Sequence, residues 1–159
     1  MERSAPDWYT QLSRRLGHTR SFAVTMRIVG WRVDRLLLRA SRGRVDLSGP
    51  EIPTLLLTTR GRRSGNEYTV PLAYVRDGDN VVVACENFGL RHRTAWPDNA
   101  LAQGMVVIEL LGERQHRIAR RPTEEELARV VPVLTAIWPA HDAYLDRTGR
   151  RDVVVFEPV

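Results

Sequence analysis

The sequence predicts a mixed α+β protein built around a small antiparallel β-barrel. Short apolar or alternating runs recur through the chain, and turn residues separate most of them. The first three runs are joined by connections too short to hold a crossover helix, which argues against a parallel, doubly wound sheet. Helical patterns at both ends of the chain would cover the barrel.

At 159 residues the chain is large enough to form one hydrophobic core. Its net charge of +5 is concentrated in residues 1–49, where ten Arg face four acidic residues. We therefore predict a basic helical extension at residues 1–49 and a barrel domain at residues 50–159. The single Cys85 excludes an internal disulfide and a multi-cysteine metal site. The four histidines lack metal-ligand spacing, so no metal is predicted.

Two helical segments precede the barrel. Residues 7–16 suit a short helix, and residues 21–42 form a stronger amphipathic pattern that Gly43 would end. The second helix either packs on the barrel with its Arg residues in water, which we favour, or lies on an anionic membrane surface. The predicted apolar face comprises Phe22, Met26, Val29, Val33, Leu36, Leu37 and Ala40.

The N-terminal residues show no signal peptide, and no run of the sequence is apolar enough to span a membrane. We therefore expect a cytoplasmic protein. The basic amphipathic helix adds peripheral association at the inner face of the cell membrane as the alternative location.

Six runs have the length and the apolar or alternating character of β-strands. Residues 47–50 read as a linker before the first of them, and a helical pattern at residues 94–103 separates the third and fourth. Pro71 lies within the second run and predicts an edge strand or a bulge, because proline cannot donate a sheet hydrogen bond. The predicted strands span residues 54–59, 68–76, 81–85, 105–111, 114–120 and 153–156.

Two further helices are predicted between the last two strands. Thr123 and Glu126 fit a capping box that opens the first of these helices. Pro132 is expected to kink or split it, since proline removes a helical hydrogen bond. Pro139 begins a second helix that ends near Gly149.

The basic segment between the first two strands, residues 60–65, has the chemistry of an anion site. Its glycines allow tight folding and close approach to a ligand, and its amide groups can converge on an anion. Arg62 and Arg63 present planar forks that match phosphate or carboxylate oxygens, and Ser64 adds a hydroxyl. From these residues alone, a solvated basic turn is an equal alternative.

The run LLLTTRGRRSGNEYTVP at residues 55–71 resembles the phosphate-gripping turn of the deazaflavin-dependent nitroreductase and quinone reductase family. The resemblance continues through RDGDNVVVACENFG at residues 76–89, and more weakly near residues 138–144 and in the closing VVVFEP. It implies a flavin-reductase-like split β-barrel that uses the deazaflavin coenzyme F420. Many members have Ser where this chain has Glu86.

The resemblance also implies roles for individual residues. Arg62, Arg63 and Ser64 would grip the coenzyme's phosphate. Trp96 would offer a flat surface to the ring, with a place in the core as an equal alternative. Tyr144, which we favour because the family has a coenzyme-contacting Tyr there, or His141 would donate a proton to the reduced substrate. The implied coenzyme-binding residues are Arg62, Arg63, Ser64, Gly65, Tyr68, Thr69, Ala84, Cys85, Glu86, Asn87, Ala95, Trp96 and Asn99, and the implied substrate residues are Trp138, His141 and Tyr144.

The predicted activity is hydride transfer from the reduced deazaflavin to a flat acceptor such as a quinone, a nitroaromatic or an enone. An FMN enzyme on the same barrel and a non-catalytic coenzyme or anion binder are the alternatives. A nucleic-acid role is not predicted, because the Arg surplus lies on an amphipathic helix and no aromatic-basic motif accompanies it. A homodimer is expected by analogy with other open barrels.

Overall fold

A computed structural model of the protein describes residues 15–17, 19–42 and 52–159. Most of the helix predicted at residues 7–16, the linker at residues 47–50 and the helix stop at Gly43 fall outside this described part. The predicted division at residue 49 lies there too and stays a prediction.

Seven strands and five α-helices make up the described part of the chain. A π-helical turn, Met26–Gly30, joins the first two helices, and a 3₁₀ turn, Asn87–Gly89, follows the fourth strand. The strands are β1 Thr54–Arg60, β2 Glu67–Ala73, β3 Val75–Asp77, β4 Asn80–Ala84, β5 Met105–Leu110, β6 Glu113–Arg120 and β7 Val153–Pro158. The helices are α1 Arg20–Thr25, α2 Trp31–Ser41, α3 Trp96–Gln103, α4 Glu124–Ile137 and α5 Ala140–Thr148.

The predicted second strand is two strands, which corrects the expected number. The break falls at Tyr74, whose N–H donates to the carbonyl oxygen of Pro53 at 3.0 Å instead of joining a strand ladder. The sheet order is β2-β1-β5-β6-β7-β4-β3, with every neighbouring pair antiparallel. Since one residue separates β2 from β3, the two ends of the sheet must approach each other. The sheet therefore curls into a half-barrel, as predicted, and the edge position of Pro71 is confirmed.

Alternating residues of the strands build two cores. Val81 and Val83 of β4 and Phe156 of β7 face the inside of the barrel with Leu55, Leu57 and Ile108. Val82 and Val155 face outward and pack against Val130 and Leu134 of α4. Because β4 and β7 are buried on both faces, their sequences are continuous apolar runs instead of alternating ones.

The antiparallel pairing brings the predicted site segments to one rim of the barrel. β1, β4 and β6 run in the same direction, so their C-terminal ends lie together with the starts of β5 and β7. Helix α3 crosses this rim: Trp96 and Ala100 enter the inner core, and the Gln103 side chain accepts a hydrogen bond from the Arg60 N–H at 2.9 Å. The rim therefore holds the β1–β2 turn, the segment after β4, and α3.

The apolar face predicted for the N-terminal helix is wrong. Val29 and Leu36 are 52% and 64% exposed, whereas Asp34 and Leu38 are buried. The π-helical turn explains the difference, because one extra residue in a turn rotates the following face by about 100°. Helix α2 packs against β2 through a face that a regular helical period does not predict.

Of the kink or split predicted at Pro132, the split is wrong, since α4 continues through Pro132 to Ile137. Pro132 is exposed, and a proline inside a helix removes only one backbone hydrogen bond. Val130 and Leu134 on either side of it are buried against the sheet, and this packing keeps the helix continuous.

The N-terminus of α4 is tied to two strands. The predicted capping box is confirmed: the Glu126 N–H donates to Thr123 Oγ1 at 3.2 Å, and the Thr123 N–H donates to Glu126 Oε2 at 2.8 Å. Arg120 of β6 donates to Glu126 Oε1 at 2.7 Å and to Glu157 Oε2 of β7 at 2.6 Å. The hydrogen bonds from Arg120 and from the Thr123 backbone lower the pKa of Glu126 to about 2.

We predict that Glu126→Gln lowers the free energy of unfolding by about 1–3 kcal/mol near neutral pH, because Arg120 loses its charged acceptor. The pKa of Glu126 is lower in the folded than in the unfolded chain, so the carboxylate stabilises the fold above about pH 4.5. The difference between variant and wild type should therefore shrink as the pH falls from 4.5 toward 2. Urea unfolding across this range tests it, with the exposed Glu125→Gln as control. A difference independent of pH would contradict it.

Candidate functional site

The two glycines of the β1–β2 turn have different functions. Gly61 is buried, and a Cβ atom there would lie 2.6 Å from Ser64 Oγ and 2.9 Å from the Tyr68 ring. Gly65 has open space around it but adopts φ +70°, which favours glycine. Backbone hydrogen bonds from Gly61 to Asn66 and from Gly65 to Gly61, each 2.8 Å long, close the turn. Gly61 is therefore required by the packing within the turn, and Gly65 by its backbone conformation.

The two arginines of the turn have different surroundings. The backbone N–H and Nε of Arg62 both donate to Asn99 Oδ1 at 3.3 Å, and Nη2 donates to Asp98 Oδ2 at 3.2 Å. Arg63 is exposed and makes no hydrogen bond or ion pair with any residue in the described part of the chain. Arg62 is therefore committed to helix α3, whereas the Arg63 guanidinium is open to a ligand.

The other predicted residues of this segment line the turn. Ser64 Oγ accepts from the Asn66 N–H at 3.3 Å and shares a hydrogen bond of 3.2 Å with Tyr68 Oη. Tyr68 is 48% exposed. The Thr69 hydroxyl pairs with that of Thr58 across β1 and β2 at 2.9 Å. The exposed Tyr68 ring thus extends the turn along β2.

Helix α3 supports the turn from below. Asn99 is buried and fixes Arg62 as described. Trp96 is 6% exposed and packs against Phe156 with ring centroids 6.3 Å apart, which is the core alternative of its two predicted roles. Ala95 precedes the helix and is exposed. The structure therefore brings the turn and the predicted covering helix together through Asn99.

Unusual backbone angles and several hydrogen bonds fix the conformation of the segment after β4. Asn87 and Phe88 have φ of 45° and 54°, an uncommon conformation for residues other than glycine. The Asn87 side chain donates to the carbonyl oxygen of His92 at 2.6 Å. The Cys85 N–H donates to the Asp152 carbonyl oxygen at 2.7 Å, and Ala84 pairs with Val153. Burial raises the pKa of the Cys85 thiol to about 12, so this thiol stays neutral.

Glu86 anchors a cluster of charged side chains at the same rim. Its side chain is 2% exposed, and Oε2 contacts His141 Nδ1 at 2.5 Å. Oε1 accepts from Arg151 Nε at 3.3 Å, and Arg151 Nη2 donates to Asp142 Oδ1 at 2.7 Å. We call Glu86, His141, Asp142 and Arg151 the Glu86 cluster. Sequence reasoning missed Arg151 and Asp142, because nothing in their spacing connects them to Glu86.

Tyr144, one of the two predicted proton donors, lies buried with its hydroxyl already hydrogen-bonded. Tyr144 is 2% exposed, its hydroxyl donates to the Gly17 carbonyl oxygen at 2.6 Å, and it accepts from Trp138 Nε1 at 3.1 Å. Burial raises its pKa to about 12. The spacing of three predicts that Trp138, His141 and Tyr144 share one helical face, but Trp138 precedes helix α5 and only His141 and Tyr144 lie on it. His141 is edge-on to Tyr144, whose hydroxyl proton is already engaged.

A shallow cleft opens beside the Glu86 cluster, between the segment after β4 and the end of α5. Arg93 pairs with Asp152 across it at 3.1 Å. In the described residues, no three His, Cys, Asp or Glu side chains are grouped to hold a metal. The cleft is lined by Cys85, Glu86, Asn87, His92, Arg93, Thr148, Arg150 and Asp152.

We predict that Tyr144→Phe lowers the free energy of unfolding by about 1–2 kcal/mol, because the Gly17 carbonyl and Trp138 Nε1 lose their partner. The loss should be constant between pH 6 and 9, roughly three units or more below the pKa of about 12. Denaturant unfolding measures it. The exposed Tyr68→Phe is the control and should change stability by less than about 0.5 kcal/mol. An unchanged stability of Tyr144→Phe would contradict the buried hydrogen bonds.

Comparison with known proteins identifies related sequences and folds. The model of the F420H(2)-dependent quinone reductase family matches residues 30–158. The Rv3178 protein of Mycobacterium tuberculosis, whose name assigns it to the F420H(2)-dependent quinone reductases, is 32% identical over 96 residues. That match covers 60% of this chain and 75% of Rv3178.

Two solved structures share the fold. The F420-H2 dependent reductase FDR-A aligns with a TM-score of 0.60 and 25% identity, over 66% of this chain and 94% of its own. A structure described as a domain-swapped dimer aligns with a TM-score of 0.61 and 23% identity, over 79% of this chain and 94% of its own. Because the family model spans the chain from the start of α2 to the end of β7, the protein belongs to the family of F420H2-dependent quinone reductases.

Proposed function

We propose that this chain transfers a hydride from reduced F420 to a flat acceptor, a quinone first and a nitroaromatic or an enone as the wider class. Family membership establishes the F420-dependent reductase activity. The observation that supports the assignment to this rim is Arg63, an exposed arginine on a tight glycine turn that has no partner in the described part of the chain. When bound, reduced F420 supplies the hydride, while the protein binds, orients and excludes water.

The β1–β2 turn fits the coenzyme's phosphate. The Arg63 guanidinium is open and charged, and such forks form strong paired hydrogen bonds with phosphate oxygens. The Ser64 hydroxyl lies one residue further along the exposed turn. Gly65, with φ +70°, orients the adjacent amides without a side chain in the way. Arg63, Ser64 and Gly65 would therefore hold the phosphate directly.

Arg62 has a different part in this proposal. Its backbone N–H and Nε are bound to Asn99, so it holds the turn against α3. Arg62 would hold the turn in the shape that binds the phosphate, and Asn99 would contribute by holding Arg62. Tyr68 and Thr69 continue from the turn along β2 and would contact the coenzyme's tail.

The coenzyme's ring would lie between the segment after β4 and the start of α3. Backbone groups at Ala84–Asn87 and the exposed Ala95 would contact the edge of the ring. Trp96 would support the covering helix from within the core. The carboxylate of Glu86 points to His141 and Arg151, so it does not place a free negative charge beside an electron-rich ring.

The acceptor would lie on the side of α5. Hydride addition to a quinone leaves negative charge on oxygen, and a nearby proton donor typically accelerates such a step by about 10² to 10⁴. His141 is only partly buried and is the candidate donor, whereas the Tyr144 hydroxyl is occupied. Trp138, also partly buried, would shape the pocket for a flat molecule.

A spectroscopic titration followed by turnover tests the proposed function. The purified chain should bind F420 and oxidise its reduced form in the presence of menadione, followed by the return of the coenzyme's absorbance. FMN, the other cofactor suggested by the barrel, should bind more weakly. Coenzyme binding without oxidation would support the non-catalytic binder, and tighter binding of FMN would contradict the assignment.

We predict that Arg63→Ala weakens F420 binding by about 10- to 100-fold, because a charge-assisted phosphate contact is lost. Fluorescence titration of the coenzyme measures the dissociation constant. Arg114→Ala removes an equally exposed arginine from the β5–β6 hairpin at the far end of β6, and it should bind F420 like the wild type. An unchanged dissociation constant in Arg63→Ala would remove this turn from the site.

The exposed face of the N-terminal helices supports a second proposal, association with an anionic membrane surface. Val24, Ile28, Val29 and Leu36 are 45–64% exposed, with the exposed Arg32 among them. Such a mixture of apolar and basic side chains favours insertion at the surface of a negatively charged bilayer. In the described ranges, no helix has the length and hydrophobicity needed to cross a membrane.

We predict that the double variant Ile28→Glu, Leu36→Glu lowers binding to phosphatidylglycerol vesicles at least about tenfold, because each change removes apolar contact and adds repulsion. Sedimentation with the vesicles measures binding. Val133→Glu places the same charge on an exposed apolar residue of α4 and should bind like the wild type. If the wild type ignores vesicles but the double variant dissociates a dimer in light scattering, a second copy of the chain covers this face.

A further inference from the structure

We propose that Glu86 is a positioning residue that holds the proton on Nδ1 of His141 and thereby presents Nε2 as the proton donor to the bound acceptor. This inference rests on the proposed function, and it assigns a role to Glu86 and Arg151 that family membership does not supply.

The hydrogen bonds of Glu86 determine where the imidazole proton lies. Oε1 accepts from Arg151 and Oε2 contacts Nδ1 of His141, so the carboxylate has one partner on each oxygen. An ionised carboxylate can only accept hydrogen bonds. Nδ1 of His141 must therefore carry a proton, in the neutral as well as in the charged ring. Nε2 is left as the nitrogen that gains or loses a proton.

Arg151 places a positive charge against Glu86, with Nε 3.3 Å from Oε1. Burial alone would lower the pKa of Arg151, but its hydrogen bonds to Asp142 and Glu86 raise it, so the guanidinium stays charged. A fixed positive charge beside a buried carboxylate favours the charged form of the carboxylate. Arg151 and Glu86 thus form an ion pair, and His141 binds the second oxygen of the same carboxylate.

A purely structural tie between β4 and β7 would need only the Glu86–Arg151 pair. His141 adds a titratable ring whose side chain is 12% exposed. Its Nε2 makes no hydrogen bond to any residue that the structure describes. Glu86 itself lines the cleft at this rim. The charged and titratable groups next to the ring are Glu86, Asp142 and Tyr144, with Arg151 bound to Glu86 and Arg147 over the Tyr144 ring. Cys85, His92, Arg93 and Asp152 line the cleft together with Glu86.

The proton step balances with the proposed hydride transfer. The acceptor receives a hydride, which carries both electrons, and its oxygen becomes negatively charged. The Nε2–H bond of the His141 imidazolium breaks and an O–H bond forms on the acceptor. The ring is left neutral, with the proton still bonded to Nδ1 and hydrogen-bonded to Glu86, and Nε2 regains its proton from solvent. Glu86 neither gains nor loses a proton.

NMR of the chain labelled with nitrogen-15 tests the hydrogen bond between His141 Nδ1 and Glu86 in the absence of coenzyme. At alkaline pH the wild type should show His141 protonated on Nδ1, whereas His92, which is exposed, should favour the common Nε2 tautomer. In Glu86→Gln the Nδ1 tautomer should be lost. Asp146→Asn, which neutralises an exposed carboxylate on the same helix, is the control and should leave the tautomer unchanged. Loss of the His141 signals in His141→Gln assigns them.

The kinetic arm tests proton delivery. Glu86→Gln and His141→Gln should each lower turnover about 10- to 100-fold with little change in the dissociation constant of F420. The double variant should be no slower than His141→Gln, because Glu86 acts through that ring. Asp146→Asn, at an exposed position of the same helix, should keep most of the activity.

Two results would overturn this inference. One is a wild-type His141 protonated on Nε2 in its neutral form, a result that decides the question even if Glu86→Gln does not fold. The other is full turnover in His141→Gln, which would leave hydride transfer intact and assign the proton to water. A chain that does not oxidise reduced F420 at all contradicts the proposed function instead, and the NMR result still tests the pairing.

Discussion

The one-residue step from β2 to β3 is the constraint on which the rest of the structure depends. β2 ends at Ala73, and after the single residue Tyr74 the strand β3 begins at the opposite edge of the sheet, so the sheet must curl. The curl creates an inner core, filled by alternate residues of every central strand, and a rim at which β1 and β4 end together. The β1–β2 turn and the Glu86 cluster share that rim for this reason.

Some charged side chains at the rim are paired with other residues of the chain, and others are open to a ligand. Arg62 is held by Asn99 and Asp98 and gives the turn its shape, while Arg63 remains open for an anion. Glu86 is buried but matched by Arg151, so the site contains a carboxylate without an uncompensated negative charge. One rim can therefore hold an anionic coenzyme and still keep a proton-donating ring close to it.

Local patterns predicted most of the fold. Strand alternation, the edge position of Pro71 and the capping box at Thr123 follow from rules that act over a few residues. The face of α2 could not be predicted, because the π-helical turn before it shifts the helical period. The Glu86 cluster and the burial of Tyr144 against Gly17 join residues far apart in sequence, so they depend on tertiary packing alone. The turn motif located the phosphate-binding candidates, but it did not distinguish Arg62 from Arg63.

Coenzyme and acceptor should meet at the rim that carries the β1–β2 turn and the Glu86 cluster. A crystal structure of the chain with F420 bound would show this directly. We expect the phosphate within hydrogen-bond distance of Arg63, and the ring beside the segment after β4 with one face open toward His141 Nε2. A phosphate bound in the cleft between Arg93 and Arg150, or a ring remote from His141, would mean that the site lies elsewhere.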